Sequence, residues 1–368
     1  MKHLSVLIKP ASSLCNMRCK YCFYADVSSL RGVKSFGIMS NDTMKVMIDN
    51  IYVDLNDGDS MTFAFQGGEP TLAGLDYFVN FVDYVKQQSK RVNAQYTIQT
   101  NGLSIDEKWC HFLVENGFLV GLSIDSEKKI HDENRVNANN KGTYNEVMRT
   151  KTLFVQHGVE YNVLCVLTNE LARYPNQVFN FLKKERIKYI QFIPCLDDLG
   201  VCTQNLYSLT PRRFASFYNA LVKLWSKELF QGNYISIKFF DDITHLLATG
   251  RATACGMLGK CQLQYIIEAN GNTYPCDFYV LDDYLMGNIT IQTLKEMQSS
   301  QGSSVFLASN NCKISKNCQN CPFLKICFGG CKRMKSNVYL NEEGTYCAYQ
   351  DFLTGNIDLL EKITRLYR

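Results

Sequence analysis

Three cysteines near the amino terminus have the spacing of a cluster-binding loop. Cys15, Cys19 and Cys22 form a CxxxCxxC pattern directly after an apolar, β-branched run. A four-iron cluster held by only three thiolates keeps one iron open for a chelating ligand. The alternatives are a zinc loop or buried free cysteines, but zinc needs a fourth ligand, and neither Cys nor His follows soon after Cys22. We therefore expect an iron–sulfur cluster with one open iron.

A second group of cysteines lies near the carboxyl terminus. It contains CxxCxxxxxCxxxC, with four cysteines before it and one after it. Eight of these nine residues are the candidate ligands: Cys255, Cys261, Cys276, Cys318, Cys321, Cys327, Cys331 and Cys347. Eight thiols can fully ligate two four-iron clusters. A zinc ribbon built on the four central cysteines is the alternative.

The composition limits the class of protein. Sixteen cysteines in 368 residues are about 4%, below the roughly 8–10% of small disulfide scaffolds. The net charge of +4 is small, which favours neither nucleic acid nor an acidic membrane surface as a partner. No apolar run has the length of a signal peptide or of a membrane span. We expect a cytoplasmic globular protein.

Short strands alternate with helices from residue 4 to about residue 240, as in parallel α/β proteins. The predicted strands are 4–9, 61–66, 94–100, 118–124, 160–167 and 187–193. The predicted helices are 41–56, 74–90, 105–116, 142–157 and 174–185. Six such units predict a partial (β/α)6 barrel over residues 1–240, with its chemistry at the carboxyl ends of the strands. Residues 241–368 are predicted to form a second, cysteine-rich domain with a C-terminal helix.

Two further patterns bring polar groups to ends of strands. Gln99-Thr100-Asn101-Gly102 and Ser123-Ile124-Asp125 end the third and fourth predicted strands, where a nucleoside could lie. The Asn270-Gly271 pair between two extended runs predicts a hairpin. That hairpin delivers Cys276 and Asp277 at its far end.

The amino-terminal loop, with Tyr21 before its last cysteine, resembles the radical S-adenosylmethionine (SAM) superfamily. The segment Phe65-Gln66-Gly67-Gly68-Glu69-Pro70 is similar to the GGEP motif of that superfamily. The resemblance implies that SAM binds the open iron. It also implies that Tyr21 contacts the adenine and that the backbone of the Gly67, Gly68 and Glu69 segment meets the methionine amino group.

The same resemblance assigns three more cofactor-binding residues. Ser123 and Arg135 would bind the ribose or methionine part of SAM, and Leu196 would line the adenine pocket. Without the family, they would be a strand-end polar group, a solvated charge and a core residue. Arg135 is the strongest of the three, because a guanidinium suits a carboxylate.

The carboxyl-terminal cysteines resemble the SPASM domain, which carries two auxiliary four-iron clusters. The resemblance gives Cys255, Cys261, Cys276 and Cys331 to the first auxiliary cluster, and Cys318, Cys321, Cys327 and Cys347 to the second. Cys312 could substitute for one of these ligands. No role follows for Cys110, Cys195 or Cys202, and Cys165 lies in an apolar strand as a small core residue.

Three longer segments look like the anaerobic sulfatase-maturating enzymes, and this similarity runs through nearly the whole chain. The segments are Ile8-Lys9-Pro10-Ala11-Ser12-Ser13, residues 63–74, and Tyr274-Pro275-Cys276-Asp277-Phe278-Tyr279-Val280. The resemblance implies oxidation of a sulfatase cysteine or serine to Cα-formylglycine. A 5′-deoxyadenosyl radical would remove a Cβ hydrogen, Asp277 would act as the base, and the auxiliary clusters would accept the second electron.

This resemblance also implies partners and leaves alternatives. The substrate would be a sulfatase with a Cys/Ser-x-Pro/Ala-x-Arg motif, and flavodoxin or ferredoxin would donate electrons. One alternative is a peptide-modifying radical enzyme that makes thioether or carbon–carbon crosslinks or epimerises residues of a precursor peptide. Such enzymes often carry a leader-peptide-binding domain before the cluster loop, and the 14 residues that precede Cys15 here disfavour that design. Another is a zinc-binding interaction module. For Asp277 the alternative is a hairpin-end carboxylate that caps backbone amides.

Overall fold

A computed structural model describes residues 2–200, 205–308 and 315–366 of the chain. Cys202 and the alternative ligand Cys312 lie outside these ranges. In the described ranges, no helix has both the length and the apolar composition needed to cross a bilayer.

The strands are short, and most of them precede a helix. They are β1 (His3–Ile8), β2 (Ser60–Phe65), β3 (Asn93–Thr100), β4 (Phe118–Ser123), β5 (Tyr161–Leu167), β6 (Tyr189–Pro194), β7 (Ser236–Ile237), β8 (Tyr265–Ile267), β9 (Asn272–Tyr274) and β10 (Gly287–Asn288).

The helices range from one turn to more than five turns. They are α1 (Phe23–Ser29), α2 (Asn41–Val53), α3 (Leu75–Lys86), α4 (Glu107–Glu115), α5 (Lys128–Asn134), α6 (Tyr144–His157), α7 (Pro175–Lys184), α8 (Pro211–Phe230), α9 (Lys238–Thr249), α10 (Leu294–Met297), α11 (Gln301–Ala308), α12 (Lys316–Gln319), α13 (Leu324–Cys327) and α14 (Ala348–Leu366). The alternation of parallel strands with helices confirms the predicted α/β class.

The chain forms two compact units. The first unit contains Met1–Ser123, Asp132–Tyr161 and Gln262–Ser309, and the second contains Ile124–His131, Asn162–Cys261 and Asn310–Arg368. The two sequence domains, divided after residue 240, remain a prediction.

In the first unit, β1 to β4 form a parallel sheet in chain order. His3 pairs with Ser60 and Ile8 with Phe65, so β1 and β2 end together at the same edge. Strand β2 alternates side chains between its two faces, and its buried residues Phe63 and Phe65 pack edge-on against Phe81 of α3. The loops that follow β1, β2 and β3 therefore share one edge of the sheet.

The predicted hairpin is present and joins this same sheet. Strand β8 lies parallel to β1, with Ile267 opposite Ile8, and β9 returns antiparallel to β8. Gly271 in the turn has φ +87°, a conformation that glycine adopts without strain. The hairpin thus brings Cys276 and Asp277 into the unit that carries the amino-terminal cysteine loop. The Asn270-Gly271 pair between two extended runs predicted the hairpin, but it contained no information about which strand lies beside it.

In the second unit, β5, β6 and β7 are parallel, and long helices pack on one another. Phe352 of α14 contacts Phe239 and Phe240 of α9, with ring centroids 5.2 and 6.1 Å apart. Helix α8 was not predicted from the sequence. Its N-cap residue is Thr210, whose hydroxyl accepts from the Arg213 N–H. A Thr-Pro pair at the start of a helix is a recognisable N-terminal signal.

Candidate active site and cluster-binding cysteines

The loop of Cys15, Cys19 and Cys22 is held by backbone contacts on its outer side. Met17 forms an antiparallel bridge with Asn137, the Arg18 N–H donates to the Val136 carbonyl at 2.7 Å, and the Lys20 N–H donates to Asn134 at 3.0 Å. Cys22 then precedes α1 as its N-cap residue. Residues 134–137, which include Arg135, therefore brace the loop.

Gly67 and Gly68 hold the other side of the loop. The Gly68 N–H donates to the Ser12 carbonyl at 2.9 Å, and the Glu69 N–H donates to Leu14 at 2.7 Å. A Cβ on Gly67, whose φ is +128°, would lie 2.9 Å from the Ser12 carbonyl oxygen, and a Cβ on Gly68 would overlap the backbone of Leu14. Both glycines are thus required where the cluster loop lies against the end of β2. From the sequence alone, these glycines were expected only to let a ligand approach the backbone closely.

The Glu69 side chain is buried and fully occupied by protein donors. Its Oε1 accepts from the Thr71 N–H at 3.2 Å and from the hydroxyls of Thr71 and Thr100 at 2.7 Å, and its Oε2 accepts from the Asn101 N–H at 2.7 Å. Burial raises the pKa of this carboxyl, and these four hydrogen bonds oppose that shift. Glu69 thus ties the end of β2 to the end of β3.

Asn101 continues this network to the cysteine loop. Its Nδ2 donates to the Asn16 Oδ1 at 2.7 Å and lies 3.8 Å from the Cys15 Sγ, which also accepts the Met17 N–H at 3.4 Å. Burial raises the pKa of the Cys15 thiol to about 11, so a positive metal is needed to keep it ionised. N–H donors around a partly buried sulfur suit a cluster thiolate. The loop therefore fits the iron–sulfur cluster that its spacing predicted.

We predict that Glu69→Gln lowers both stability and cluster retention. An amide cannot accept from all four donors, so the free energy of unfolding should fall by about 1–3 kcal/mol, and Asn101 should lose its fixed position beside Cys15. Thermal unfolding and iron analysis of the reconstituted protein measure the two effects. Glu115→Gln, which changes an exposed carboxylate of α4, is the matched control. Equal behaviour of the two variants would contradict the role of Glu69 in positioning the loop.

Six of the seven predicted SAM-binding residues lie in the first unit with the cluster loop: Tyr21, Gly67, Gly68, Glu69, Ser123 and Arg135. The Arg135 guanidinium carbon lies 5.6 Å from the centre of the Tyr21 ring, and Arg135 is buried. At the end of β4, the Ser123 hydroxyl accepts from the Gln99 Nε2 at 3.1 Å. A cation on the face of an aromatic ring fixes both side chains.

Leu196, the remaining predicted SAM-binding residue, is half-buried in the second unit and follows β6. The next residue, Asp197, fixes this loop, because its Oδ2 accepts from the Asn337 Nδ2 at 2.7 Å. The Asn337 Nδ2 also donates to the Leu209 carbonyl at 3.0 Å. Asn337 is buried and thereby ties the loop of Leu196 to the segment that follows Cys331.

Asp277 follows the β8–β9 hairpin and is held by two side chains from the region of β1. Its Oδ2 accepts from the Tyr24 hydroxyl at 2.6 Å, and that hydroxyl accepts from the Gln66 Nε2 at 2.6 Å. Its Oδ1 is buried, lies 3.2 Å from the Lys9 Nζ and makes no hydrogen bond of good geometry. One carboxylate oxygen is therefore anchored, and the other is available to accept a proton.

Lys9 is itself fixed by a buried ion-pair cluster. Its Nζ lies 3.8 Å from the Glu268 Oε1 and 4.7 Å from the centre of the Tyr24 ring. The same Oε1 pairs with the Arg31 Nη1 at 2.6 Å, and the Glu268 Oε2 accepts from the Ser12 hydroxyl at 2.7 Å. Sequence analysis missed Lys9, Tyr24 and Glu268 as site residues.

In the second unit, four cysteines line one cavity. They are Cys318, Cys321, Cys327 and Cys347, the set that the resemblance assigns to the second auxiliary cluster. Burial raises the pKa of the Cys327 thiol to about 11, and the other three thiols of the set raise it further. Cys331, which a zinc ribbon would use, is not among the residues that line this cavity.

Cys331 instead lies near Cys255 and Cys261. Burial raises the pKa of the Cys255 thiol, and the neighbouring Cys331 and Cys261 thiols raise it further. These are three of the four residues that the resemblance gives to the first auxiliary cluster, and the fourth, Cys276, belongs to the first unit. Among the described residues, no three His, Cys, Asp or Glu side chains approach closely enough to hold a single metal ion.

The remaining described cysteines are buried and have no assigned role. Cys110 lies in α4 and Cys195 follows β6. Cys165 is a core residue of β5, as its apolar neighbours predict.

Comparison with known proteins supports the family resemblances inferred for the amino-terminal and carboxyl-terminal cysteine regions. Residues 10–182 match the radical SAM superfamily, and residues 246–322 match the SPASM iron–sulfur cluster-binding domain. The chain is 40% identical to the cysteine-type anaerobic sulfatase-maturating enzyme of Clostridium novyi, over 99% of this chain and 98% of the relative. It is 30% identical to the serine-type enzyme of Bacteroides thetaiotaomicron, over 90% of this chain and 83% of the relative.

A solved structure described as native anSMEcpe with bound AdoMet and Cp18Cys peptide covers 100% of both chains, with 36% identity and a TM-score of 0.91. This structural similarity, together with the 40% identity to the cysteine-type relative over nearly the full length of both chains, establishes the family. The chain therefore belongs to the anaerobic sulfatase-maturating enzymes, and it is a radical SAM enzyme that works with S-adenosylmethionine and iron–sulfur clusters, auxiliary clusters included.

Proposed function

We propose that this enzyme oxidises the active-site cysteine of a sulfatase to Cα-formylglycine. The preference for cysteine over serine is supported by sequence identity: the chain is 40% identical to the cysteine-type relative and 30% identical to the serine-type relative. The observation that carries the oxidation itself is the Asp277 carboxylate, which directly follows Cys276 and keeps one oxygen available as a proton acceptor. A sulfatase segment of the Cys-x-Pro/Ala-x-Arg kind is the proposed substrate.

The bound cofactors supply a radical that removes a Cβ hydrogen and a cluster that accepts the second electron. The residues of this chain position and deprotonate the substrate. The Asp277 Oδ1 takes the thiol proton, the Tyr24 hydroxyl orients the carboxylate through Oδ2, and the Lys9 Nζ lies 3.2 Å from Oδ1. Loss of the thiol proton to Asp277, together with loss of the electron to the cluster, leaves a thioaldehyde. Water then hydrolyses it to the aldehyde and releases the sulfur as hydrogen sulfide.

We propose three four-iron clusters for the cysteine sets. Cys15, Cys19 and Cys22 hold the SAM-binding cluster, and the other eight ligands divide into the two interleaved sets that the resemblance implies. Tyr21, Gly67, Gly68, Ser123, Arg135 and Leu196 are proposed to surround SAM. Glu69 contributes through its backbone, because its carboxylate is already occupied by Thr71, Thr100 and Asn101. The zinc alternatives find no support, since residues 246–322 match an iron–sulfur domain.

We propose flavodoxin or ferredoxin as the electron donor and the cytoplasm as the compartment. No Asp or Glu occurs between Glu296 and Glu342, whereas this stretch contains six basic residues, of which Lys316 and Lys325 are described as exposed. A basic surface near the auxiliary cysteines would attract a small acidic electron carrier and accelerate its association.

The proposal predicts the product and the substrate preference. Reconstituted protein, incubated without oxygen with SAM, a reductant and a Cys-x-Pro-x-Arg peptide, should convert the cysteine to formylglycine. A Ser-x-Pro-x-Arg peptide should react more slowly, and a peptide with Ala at the target position should not change. Mass spectrometry of the peptides measures all three. A thioether or carbon–carbon crosslink in place of the aldehyde would favour the peptide-modifying alternative.

A further inference from the structure

Tyr339 lies between two segments that carry ligands of the first auxiliary set. Its side chain is buried, and its hydroxyl donates to the Gly256 carbonyl at 3.3 Å. A Cβ on Gly256 would lie 3.5 Å from this hydroxyl and 3.8 Å from the Cys331 Cβ, so Tyr339 and Cys331 both approach the Gly256 segment. Gly256 directly follows Cys255, so one phenol group fixes the separation of the Cys255 and Cys331 backbones.

The ring of Tyr339 also determines how closely the Cys331 segment approaches. Gly330 lies against the ring, and a Cβ at this position would overlap the ring carbons. Gly330 also has φ +75°, so any other residue would be strained there as well. The glycine before Cys331 is therefore required by Tyr339 rather than by a turn alone.

The other side of Tyr339 faces the second auxiliary set. Its ring lies on that of Tyr349, with centroids 5.6 Å apart and planes inclined by 35°. Tyr349 lines the cavity formed by Cys318, Cys321, Cys327 and Cys347. Burial raises the pKa of Tyr339, and the nearby Cys327 and Cys331 thiols, one from each set, raise it further.

We propose that Tyr339 is a positioning residue shared by the two auxiliary iron–sulfur sites. Its hydroxyl holds the Cys255 and Cys331 segments at the spacing of the first site. Its ring packs against the tilted ring of Tyr349 and so excludes water from that side of the second site. The inference rests on the ligand sets given under the proposed function.

The two parts of the side chain should act on different clusters. Hydrogen bonding near the ligands and exclusion of water both tune the reduction potential of an iron–sulfur cluster. Loss of the hydroxyl alone should disturb the first site, because the hydrogen bond to Gly256, next to Cys255, is lost while the ring stays in place. Loss of the ring should disturb both sites, because water then enters beside Tyr349.

The test compares Tyr339→Phe and Tyr339→Leu with Tyr77→Phe in the reconstituted full chain. Tyr77 is a matched control, since it is also buried and its hydroxyl contacts Met39 of the first unit. Iron and sulfide analysis and redox titration monitored by electron paramagnetic resonance are the readouts.

Tyr339→Phe should shift the reduction potential of one auxiliary cluster by about 59 mV, which is a tenfold change in its one-electron equilibrium. The reduction potential of the other auxiliary cluster should not change. Tyr339→Leu should shift both auxiliary signals or remove iron from both sites. Tyr77→Phe should change neither. If Tyr339→Leu matches Tyr77→Phe in iron content and in both potentials, the inference is overturned. Wild-type protein without auxiliary cluster signals would instead overturn the cluster assignment.

Discussion

Asp277→Asn should lower formylglycine production by about 10²–10⁴-fold, the contribution typical of a positioned general base. Iron content and reductive cleavage of SAM to 5′-deoxyadenosine should persist. The substitution changes the proton acceptor and none of the proposed cluster or SAM ligands. Liquid chromatography of 5′-deoxyadenosine and mass spectrometry of the peptide product measure the two steps separately.

The geometry explains why asparagine cannot replace this carboxylate. Asparagine has one oxygen and one NH₂ group, whereas Asp277 presents Oδ2 to the Tyr24 hydroxyl and Oδ1 to the Lys9 Nζ. If the amide oxygen keeps the Tyr24 hydrogen bond, the NH₂ group faces the Lys9 ammonium, and neither can accept. In the opposite orientation the NH₂ group faces Tyr24, and the Tyr24 hydroxyl can no longer donate to this side chain. In both orientations the group near Lys9 no longer accepts a substrate proton.

Asp283→Asn is the matched control for this experiment. Asp283 is exposed and lies six residues after Asp277 in the same segment. It should keep normal formylglycine production. Near-normal product from Asp277→Asn would remove this carboxylate from the mechanism and favour its reading as a hairpin-end capping group.

The predictable part of the site was local in sequence. Cys15, Cys19 and Cys22 are seven residues apart at most, and the strand periodicity around Phe63 and Phe65 does not depend on the rest of the fold. Asn270-Gly271 likewise specifies its own turn. Residue spacing within one short segment can therefore predict only the chemistry that this segment supplies by itself.

The missed contacts join segments that are far apart in the chain. Tyr24 and Asp277 are separated by 253 residues, and Ser12 and Glu268 by 256. Periodicity within each segment contains no information about such pairs, because they arise only when β8 pairs with β1. No local pattern marks Tyr24 as the hydrogen-bond partner of Asp277.

The polar ends of β3 illustrate a different limit. Sequence analysis placed Thr100 and Asn101 where a nucleoside could lie, but in the structure they bind Glu69 and approach Cys15. A polar residue at a strand end predicts the right edge of the sheet. Whether it contacts a ligand or braces a neighbouring loop depends on which loop packs beside it.

Replacing Cys15, Cys19 and Cys22 together by Ala should abolish reductive cleavage of SAM, and with it all peptide oxidation. Iron should fall from about 12 to about 8 atoms per chain, since one of three four-iron clusters is lost. The fold should survive, because backbone contacts hold the loop without the thiols. These include the hydrogen bonds from Gly68 to Ser12 and from Arg18 to Val136. Iron and sulfide analysis, 5′-deoxyadenosine formation and thermal unfolding measure the three expectations.

Cys110→Ala is the control for the loss of thiols in general, because Cys110 is buried in α4 and is assigned to no cluster. It should keep its full iron content and still cleave SAM. A triple variant that retained all of its iron, or that lost zinc instead, would contradict the open-iron cluster at this loop. Retention of the auxiliary iron in the triple variant has a further consequence. It would show that the eight later cysteines assemble their clusters without the first one, as expected if their geometry is set by residues such as Tyr339 and Tyr349 of the second unit.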